Sequence, residues 1–421
     1  MFTRGVGVAA AGVAWAAVSH AQPVESGGAA FVGLGPAGAA TSAAYGVSRD
    51  GTAIIGSVTG PGSAHRACVW GADGSFVDIG VPAGFTETYG MAVADQGAVA
   101  VLFGIGPPSD RALLWSPASG VTPLVQLPLG YTSVGRGITP DGRVVVGDIQ
   151  IGDARTAIRW SAATGAVALG DLPGGLFISY GVGVSAAGDV VAGMGTDASD
   201  IGKACRWRLA DPAGGAVVLT QLPGFPGAPA WAYNIARALT ADGRIAVGEA
   251  MHAPGVVEAC LWTTTDQIIG LGNLRPGDET YAKGVSTRAL VVVGESFTPP
   301  RSLAFLWTPA HGMRDLKRVL EDGYGLDLNG WELEIAFGVS DDGQRIAGSG
   351  YYHGVREAWT ATLPAPCYPD CNGDRSLTVG DIGCFQSKFV AQDPYADCNQ
   401  DGAFTVADSG CFQTEFVVGC P

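Results

Sequence analysis

Apolar and polar positions recur in one order along most of the chain. A small residue, an apolar residue and usually Ser or Thr lead into an Asp-Gly-type turn. A β-branched run closing on Gly follows, then a short loop and an Ala-x-x-Trp segment. Residues 137–160, GITPDGRVVVGDIQIGDARTAIRW, show the whole unit. Aligned on the turn glycine, copies begin at Gly46, Ala92, Gly137, Gly183, Ala238, Gly284 and Gly338, and they close on Trp70, Trp115, Trp160, Trp207, Trp262, Trp307 and Trp359. The tryptophan spacings are 45, 45, 47, 55, 45 and 52 residues. A period of this size, kept in register, is the mark of a repeat architecture.

Each unit reads as four short strands. The first carries Gly-Val-Ser, and the Asp-Gly turn joins it in a two-residue hairpin to the β-branched second strand. Ala-x-x-Trp is the third. The fourth is a short piece ending in Leu-Gly or Leu-Pro, at 77–80, 125–128, 167–173, 219–223 and 268–274. Four strands per roughly 45 residues is the size of a propeller blade. The last copy stops after its third strand, at 358–363, while AFVGLG at 30–35 resembles a fourth strand ahead of the first copy. These pieces predict an all-β, seven-bladed propeller over 28–364, closed by its N-terminal strand, which hides edges that sheets otherwise expose. An open β-solenoid is the alternative, and it would need no displaced strand.

Composition sets the compartment and narrows the partners. With 47% hydrophobic and 15% charged residues the chain is too apolar to be disordered. A net charge of −15 leaves no basic surface for nucleic acid. Arg4, a short apolar run and Ser19-His20-Ala21 read as a signal peptide over 1–21. The run is too short to serve as a membrane anchor, and no later stretch is long enough to span. Export is therefore expected, with disulfides allowed.

Most repeat residues read as structural. The tryptophans are expected as core anchors, the hydroxyls Ser48, Thr139, Ser185, Thr240, Ser286 and Ser340 as partners of turn backbone, and Asp141, Asp242 and Asp342 as turn acids. Cys68, Cys205 and Cys260 take places where other copies have Leu, Ile or Phe, so they read as buried fillers. Loops between second and third strands should gather on one face with residues such as His65, Arg66, Arg155, Lys203, His252 and Arg356. That face is a candidate for a saccharide or a protein. The irregular insertion at 319–334, with Trp331, is the first place to look for a site. No nucleophile elbow, Ser-His-Asp set or HExxH motif occurs, so the sequence predicts no enzyme; acids clustered at one mouth of the channel would mark the contrary case. Ala304-Phe305-Leu306-Trp307 and its relatives resemble the extracellular HAF-repeat family, and His65 in HRACVW supplies the His of that motif. The resemblance covers about 28–364. It implies secretion and a propeller-like fold, and brings no defined reaction.

Composition changes after Pro364. Six of the nine cysteines lie in 367–421: Cys367, Cys371, Cys384, Cys398, Cys411 and Cys420. Two segments, DCNGDRSLTVGDIGCFQSKFV from Asp370 and DCNQDGAFTVADSGCFQTEFV from Asp397, align without a gap at an offset of 27 residues. Each has Asp-x-Asn-x-Asp at positions 1, 3 and 5 and Asp at position 12, the oxygen-ligand spacing of an EF-hand-like calcium loop. The first set is Asp370, Asn372, Asp374 and Asp381 with the Ser376 carbonyl. The second is Asp397, Asn399, Asp401 and Asp408 with the Ala403 carbonyl. Two Ca²⁺ ions are expected, since hard oxygen ligands favour calcium. Gly402 suits the sharp turn at position 6; Arg375 fills that place in the first loop. Six cysteines allow three disulfides among fifteen pairings, with a Cys367–Cys420 clasp as one candidate.

Loop–helix, loop–helix with this spacing resembles a dockerin, of the cysteine-containing (GC-type) kind at the C-termini of planctomycete-type exported proteins. The resemblance covers 367–421. It implies a small α-helical, EF-hand-like module that docks to a cohesin-like or other cell-envelope protein, through helix faces that include Gln386 and Gln413. Where cellulosomal dockerins often carry Ser-Thr before the position 12 Asp, this chain has Val379-Gly380 and Val406-Ala407. The sequence thus predicts an exported, non-catalytic binding or scaffold propeller, docked extracellularly or at the cell envelope through its tail. A carbohydrate-active enzyme with a docking tail and a structural surface-layer component are the alternatives.

Overall fold

The computed structural model describes residues 24–26, 28–35, 40–60, 64–128, 130–210, 216–287, 291–365, 368–372, 376–391, 394–398 and 404–419. The signal-peptide reading of 1–21 lies outside them, as do Asp374, Asn399, Asp401, Ala403, Cys367 and Cys420.

Seven antiparallel sheets follow one another along the chain, six of four strands and one of five. The first blade is Thr41–Val47, Ala53–Thr59, His65–Gly71 and Phe76–Gly80. The second is Glu87–Val93, Ala100–Ile105, Arg111–Ser116 and Gly120–Pro123. The third is Thr132–Ile138, Val144–Ile151, Ala154–Ser161 and Gly165–Ala168. Ser179–Val184, Val190–Thr196, Gly202–Leu209 and Val217–Gln221 make the fourth. Asn234–Leu239, Ala246–Ala253, Val256–Trp262 and Ile268–Gly270 make the fifth. Glu279–Val285, Val292–Thr298, Arg301–Thr308 and Gly312–Asp315 make the sixth. The seventh takes Trp331–Val339, Arg345–Tyr352 and Val355–Thr362 from the end of the repeats. Ala29–Gly33 completes it, pairing Ala30 with Thr362 and Gly33 with Trp359. Val24–Ser26 adds an outer fifth strand and covers the edge further. First strands pack on one another around the ring, the seventh against the first, so they surround the central channel.

The turn between first and second strands is longer than the expected two-residue hairpin. Ser48 N donates to the Ala53 carbonyl, and Ala53 N donates to the Ser48 hydroxyl, which leaves four residues in the loop. The hydroxyl takes the N–H that a tighter turn would pair with backbone. The same bond recurs at Thr139, Ser185, Thr240, Ser286 and Ser340. Asp141, Asp242 and Asp342 each accept from the N–H two residues on, as Asx turns do. Gly142 sits at φ 72°, a left-handed conformation that suits glycine.

Several fourth strands lie earlier than the Leu-Pro signal suggests. In the second blade the strand is Gly120–Pro123 rather than 125–128. Leu124 follows it, buried, and its N–H donates to the Ala112 carbonyl. Leu169, Leu222 and Leu271 do the same toward Ala157, Ala204 and Ala259. The leucine is thus the plug that ends the strand.

Blades are also fastened to one another. Thr88, Ser133, Ser179, Asn234 and Thr280 each accept from the alanine N–H that opens Ala-x-x-Trp in the preceding blade, and Ser42 accepts from Ala358 N in the seventh. Thr88 also donates to the Gly80 carbonyl at 2.7 Å. Thr88→Val should strand a buried donor and acceptor and cost about 1–3 kcal/mol in urea unfolding. A loss under about 0.5 kcal/mol would show that this bond adds nothing to blade association.

Trp70, Trp207, Trp262, Trp307 and Trp359 are buried, and Trp115 and Trp160 are half-buried. Cys68, Cys205 and Cys260 are buried free thiols, and burial pushes the Cys205 thiol up to about 12. Such thiols are inert fillers.

After Pro364 the chain forms the helices Val379–Val390 and Val406–Val418, each opened by a capping box, Thr378 with Asp381 and Thr405 with Asp408. Disulfides Cys371–Cys384 and Cys398–Cys411 staple each loop to its own helix. Phe385 and Phe412 stack at 4.2 Å in the small shared core. Tyr368 and Tyr395, again 27 residues apart, stack and donate their hydroxyls to each other's carbonyls. Lys388 Nζ donates to the Pro309 carbonyl, and Ala310 packs on the tail core. Pro309 and Ala310 lie between the third and fourth strands of the sixth blade. The tail therefore sits at the end of the propeller that carries the Asp-Gly turns. Among the described residues, no helix is long and apolar enough to cross a membrane.

Candidate functional site

The channel is built from one irregularity repeated seven times. Each first strand shifts register at the same place, between Ala44 and Gly46, Gly90 and Ala92, Gly135 and Gly137, Gly181 and Gly183, Ala236 and Ala238, Ala282 and Gly284, and Ala336 and Gly338. The extra residue of each bulge is Tyr45, Met91, Arg136, Val182, Arg237, Lys283 or Phe337. All seven are half-buried. Bulges re-aim a side chain and favour functional rims. The small flanking residues are required by the neighbouring blade: a Cβ on Gly137 would stand 2.4 Å from the Val182 carbonyl oxygen.

Twelve residues on, the second strand supplies a partner. Arg136 Nε meets Asp148 Oδ1 at 2.9 Å, and Arg155 reaches the other oxygen at 3.4 Å. Arg237 Nε donates to both oxygens of Glu249 at 3.0 Å. Lys283 meets Glu295 at 3.0 Å. In the seventh blade Arg356 meets Glu334 at 3.0 Å. Aromatic rings join these pairs across blades. Arg136 lies 5.1 Å over the Tyr180 ring, and Tyr45 packs on Phe337 and Tyr89. Tyr281 donates to Glu279 at 2.7 Å, and His65 stacks on Tyr89.

Burial governs the charges here. It raises the Asp148 carboxyl despite Arg136 and Arg155, and raises Glu334 despite Arg356. It also raises the Tyr180 phenol. Burial works against the Arg237 guanidinium, but the bonds and charge of Glu249 outweigh it and hold the cation. Glu249 is 1% exposed. Arg237→Met should therefore leave a buried carboxylate without its partner and cost about 2–3 kcal/mol, below the usual range because Arg237 is partly exposed. Adding Glu249→Gln should restore much of the loss, and equal losses in the single and double variants would refute the pairing.

At the other end of the channel Arg49 reaches across the axis. It bridges Asp341 at 2.9 Å and donates to the Val184 carbonyl at 2.7 Å and the Leu239 carbonyl at 3.3 Å. One side chain thus ties the first and seventh blades to the fourth and fifth across the axis. The mouth where the second-to-third-strand loops gather is therefore the candidate entrance for a ligand.

Of the loop residues expected there, Arg155 and Arg356 join the channel ion pairs. Lys203 braces the link to the fifth blade through the Ala232 carbonyl, Arg66 pairs with Asp78, and His252 lies 3.8 Å from Glu258. The insertion at 319–334 is not the expected site at this mouth beyond its last residue, Glu334, which pairs with Arg356. Its Trp331 is 4% exposed and packs edge-on against Phe31 in the closure. The insertion instead walls a cavity of about 960 Å³ between propeller and tail, together with Leu306, Met313, Tyr368 and Asp370. The bulge ring, the Arg49 bridge and the blade clasps escaped the sequence reading. The ring was legible as cation and acid twelve residues apart, Arg136 and Asp148, Arg237 and Glu249, Lys283 and Glu295.

In the tail, Asp381 and Asp408 are both 0% exposed. Asn372 N donates to Asp381 Oδ1 at 3.1 Å, which folds the first loop onto its helix. Asp370 is also buried. The second loop places Asp397 and Asp408 where both charges raise the Tyr368 phenol, after burial itself and Tyr395. Among the described residues no three His, Cys, Asp or Glu side chains converge on one point. The described part of each loop supplies two carboxylates from the expected set. Buried carboxylates of this kind fit a hard divalent cation, since burying the charge alone is costly. Gln386 and Gln413 are exposed on equivalent faces of the two helices.

No protein-family model matches the sequence, and no curated protein matches it. Among solved structures, an oligogalacturonate lyase from Vibrio parahaemolyticus superposes with a TM-score of 0.52 at 9% identity, covering 82% of this chain and 96% of that one. An oligogalacturonate lyase in complex with manganese gives 0.51 at 11% identity over the same shares, 82% and 96%. A prolyl endopeptidase gives 0.52 at 12% identity, covering 78% of this chain and 51% of that one. A TolB chain from Acinetobacter baumannii aligns at 0.45 and 11% identity, and this chain spans 62% of its length. At such identities the likeness shows the propeller fold alone. The expectation of a protein without catalytic activity is corrected by these neighbours: chains of this fold include a lyase and an endopeptidase, so the lack of a nucleophile motif excludes no chemistry at the channel.

Proposed function

We propose that the protein is an exported binding protein with two working ends: the channel mouth receives a ligand, and the calcium-loaded, dockerin-like tail docks the molecule to a cell-envelope partner, cohesin-like or otherwise. The carrying observation is the duplicated tail. Its two halves repeat the same buried acid, capping box, disulfide and exposed glutamine at an offset of 27 residues. Duplicated donors of hard oxygen are what a pair of calcium loops needs. Two disulfides suit an oxidising compartment, in line with the secretory reading of 1–21. The tail lies at the Arg49 end, so docking would leave the mouth open.

The test is a pull-down from a cell-envelope extract with the mature chain and a version ending at Pro364, each with calcium and with chelator. Docking predicts a partner that needs both tail and calcium and is weakened by Gln386→Ala with Gln413→Ala. A partner held equally by the shortened chain would refute docking through the tail.

A second reading, a carbohydrate-active enzyme with a docking tail, is favoured by one observation. Asp148, Glu249, Glu295 and Glu334 collect at one mouth, and burial raises two of them toward the range of a general acid. Release of reducing ends from polysaccharides, abolished by Asp148→Asn or Glu334→Gln, would establish it.

A further inference from the structure

The rim of the mouth over the third to fifth blades carries two exposed aromatic rings that the fold does not use. Phe177 is 68% exposed and Trp231 is 52% exposed. Phe177 has φ 55°, a conformation rare for a bulky residue. Strain of this kind persists where surrounding structure imposes it, and it gathers at binding sites. The surroundings here do impose it. Arg155 N donates to the Phe177 carbonyl at 3.0 Å, and Ile178 N donates to Thr196 Oγ1 at 3.3 Å. The loop is thus pinned to the hairpins of the third and fourth blades while its ring faces solvent. Trp231 is set in a turn closed by Ala232 N to the Pro229 carbonyl at 2.8 Å, and Lys203 holds the Ala232 carbonyl at 2.6 Å. The two rings stand on the links that lead into and out of the fourth blade, three residues before Tyr180 and two before Tyr233.

We infer that this rim binds a neutral oligosaccharide, with Phe177 and Trp231 as its platforms. The inference rests on the mouth being a ligand site and names the ligand class. Flat rings fixed at a rim match the apolar C–H face of a sugar ring, and the polar wall matches its hydroxyls. Charge turns away an acidic ligand. The cations of this sector are matched within the chain: Arg136 and Arg155 with Asp148, Arg237 with Glu249, Lys203 with Asp197. Asp153, Asp171 and Asp200 on the loops of the same rim face no cation among the described residues, so the surplus charge is acidic and repels an acidic oligomer.

The experiment is isothermal titration of the full mature chain with cellohexaose, mannohexaose, xylohexaose and laminarihexaose, beside hexagalacturonate as acidic comparator. At least one neutral oligomer should bind. Phe177→Ala and Trp231→Ala should each weaken it about fivefold and together about twenty-five-fold, with unchanged thermal unfolding because both rings are exposed. Affinity should be equal in calcium and in chelator, since the tail lies at the far end. Binding of hexagalacturonate alone, or of no oligomer, overturns the inference. Neutral binding indifferent to both rings also overturns it, while leaving the mouth as a ligand site.

Discussion

Replacing Phe31 by alanine is expected to cost about 3–5 kcal/mol, the range for emptying a buried aromatic site. Phe31 is 1% exposed, edge-on to Trp331 at 5.0 Å and stacked on Trp359 at 6.0 Å. It belongs to the strand Ala29–Gly33, which comes from the start of the chain and seals a blade made at the end of the repeats. Its ring is the apolar plug of that seal, and two rigid indoles cannot close over the void it would leave. Loss of the seal would also bare the edge of Val355–Thr362, an invitation to aggregation. Phe31→Leu keeps most of the volume and should cost about 1–1.5 kcal/mol. Urea unfolding checks both, with limited proteolysis reporting release of the N-terminal strand. A Phe31→Ala loss below about 1 kcal/mol would make the strand an accessory to a ring closed by other contacts.

The closure was legible because AFVGLG stood alone as a fourth strand and the last repeat lacked one. The blades were legible because the turn acid, the β-branched run and the tryptophan each answer to local chemistry. Turn length was misjudged for a local reason too: the Ser or Thr hydroxyl replaces a backbone partner, which a propensity reading does not count. The mouth was less legible. A bulge breaks strand alternation by one residue, so the pattern along a single strand hides which side chain faces the axis. The cation at the bulge and the acid twelve residues later reveal it only when blades are compared as units. Arg49 could not be read at all. Its carbonyl partners at Val184 and Leu239 lie 135 and 190 residues away and approach it only once the ring is closed. In the tail the repeat extends two residues before Asp370, where Tyr368 matches Tyr395, the pair that fastens the halves together.

Titration of the full chain with calcium is expected to fill two sites, and Asp381→Asn and Asp408→Asn should each remove one. Both side chains are 0% exposed at the start of a helix. Each accepts from its own capping threonine, Asp381 Oδ2 from Thr378 N and Asp408 Oδ2 from Thr405 N, both at 2.8 Å. Alanine at these places would lose the cap as well as the charge, about 0.5–2 kcal/mol. Asparagine keeps an acceptor oxygen for the cap and removes only the charge, so it separates metal binding from helix capping. With calcium a hundredfold above its dissociation constant, each filled site should stabilise the tail by about 2.7 kcal/mol. The helical circular dichroism reports this directly, because apart from a three-residue turn at Leu316–Arg318 the described α-helices all lie in the tail. Chelator should lower the melting of that signal and leave the β signal of the blades in place. The disulfides Cys371–Cys384 and Cys398–Cys411 should keep the loops near their helices even without the ion, so that reductant and chelator together destabilise the tail more than either alone. Should the double asparagine variant still take up two calcium ions, the oxygen donors assigned to both loops would be wrong. The docking function built on them would fall as well, since a tail that holds its shape without these carboxylates has no calcium-dependent surface to offer a partner.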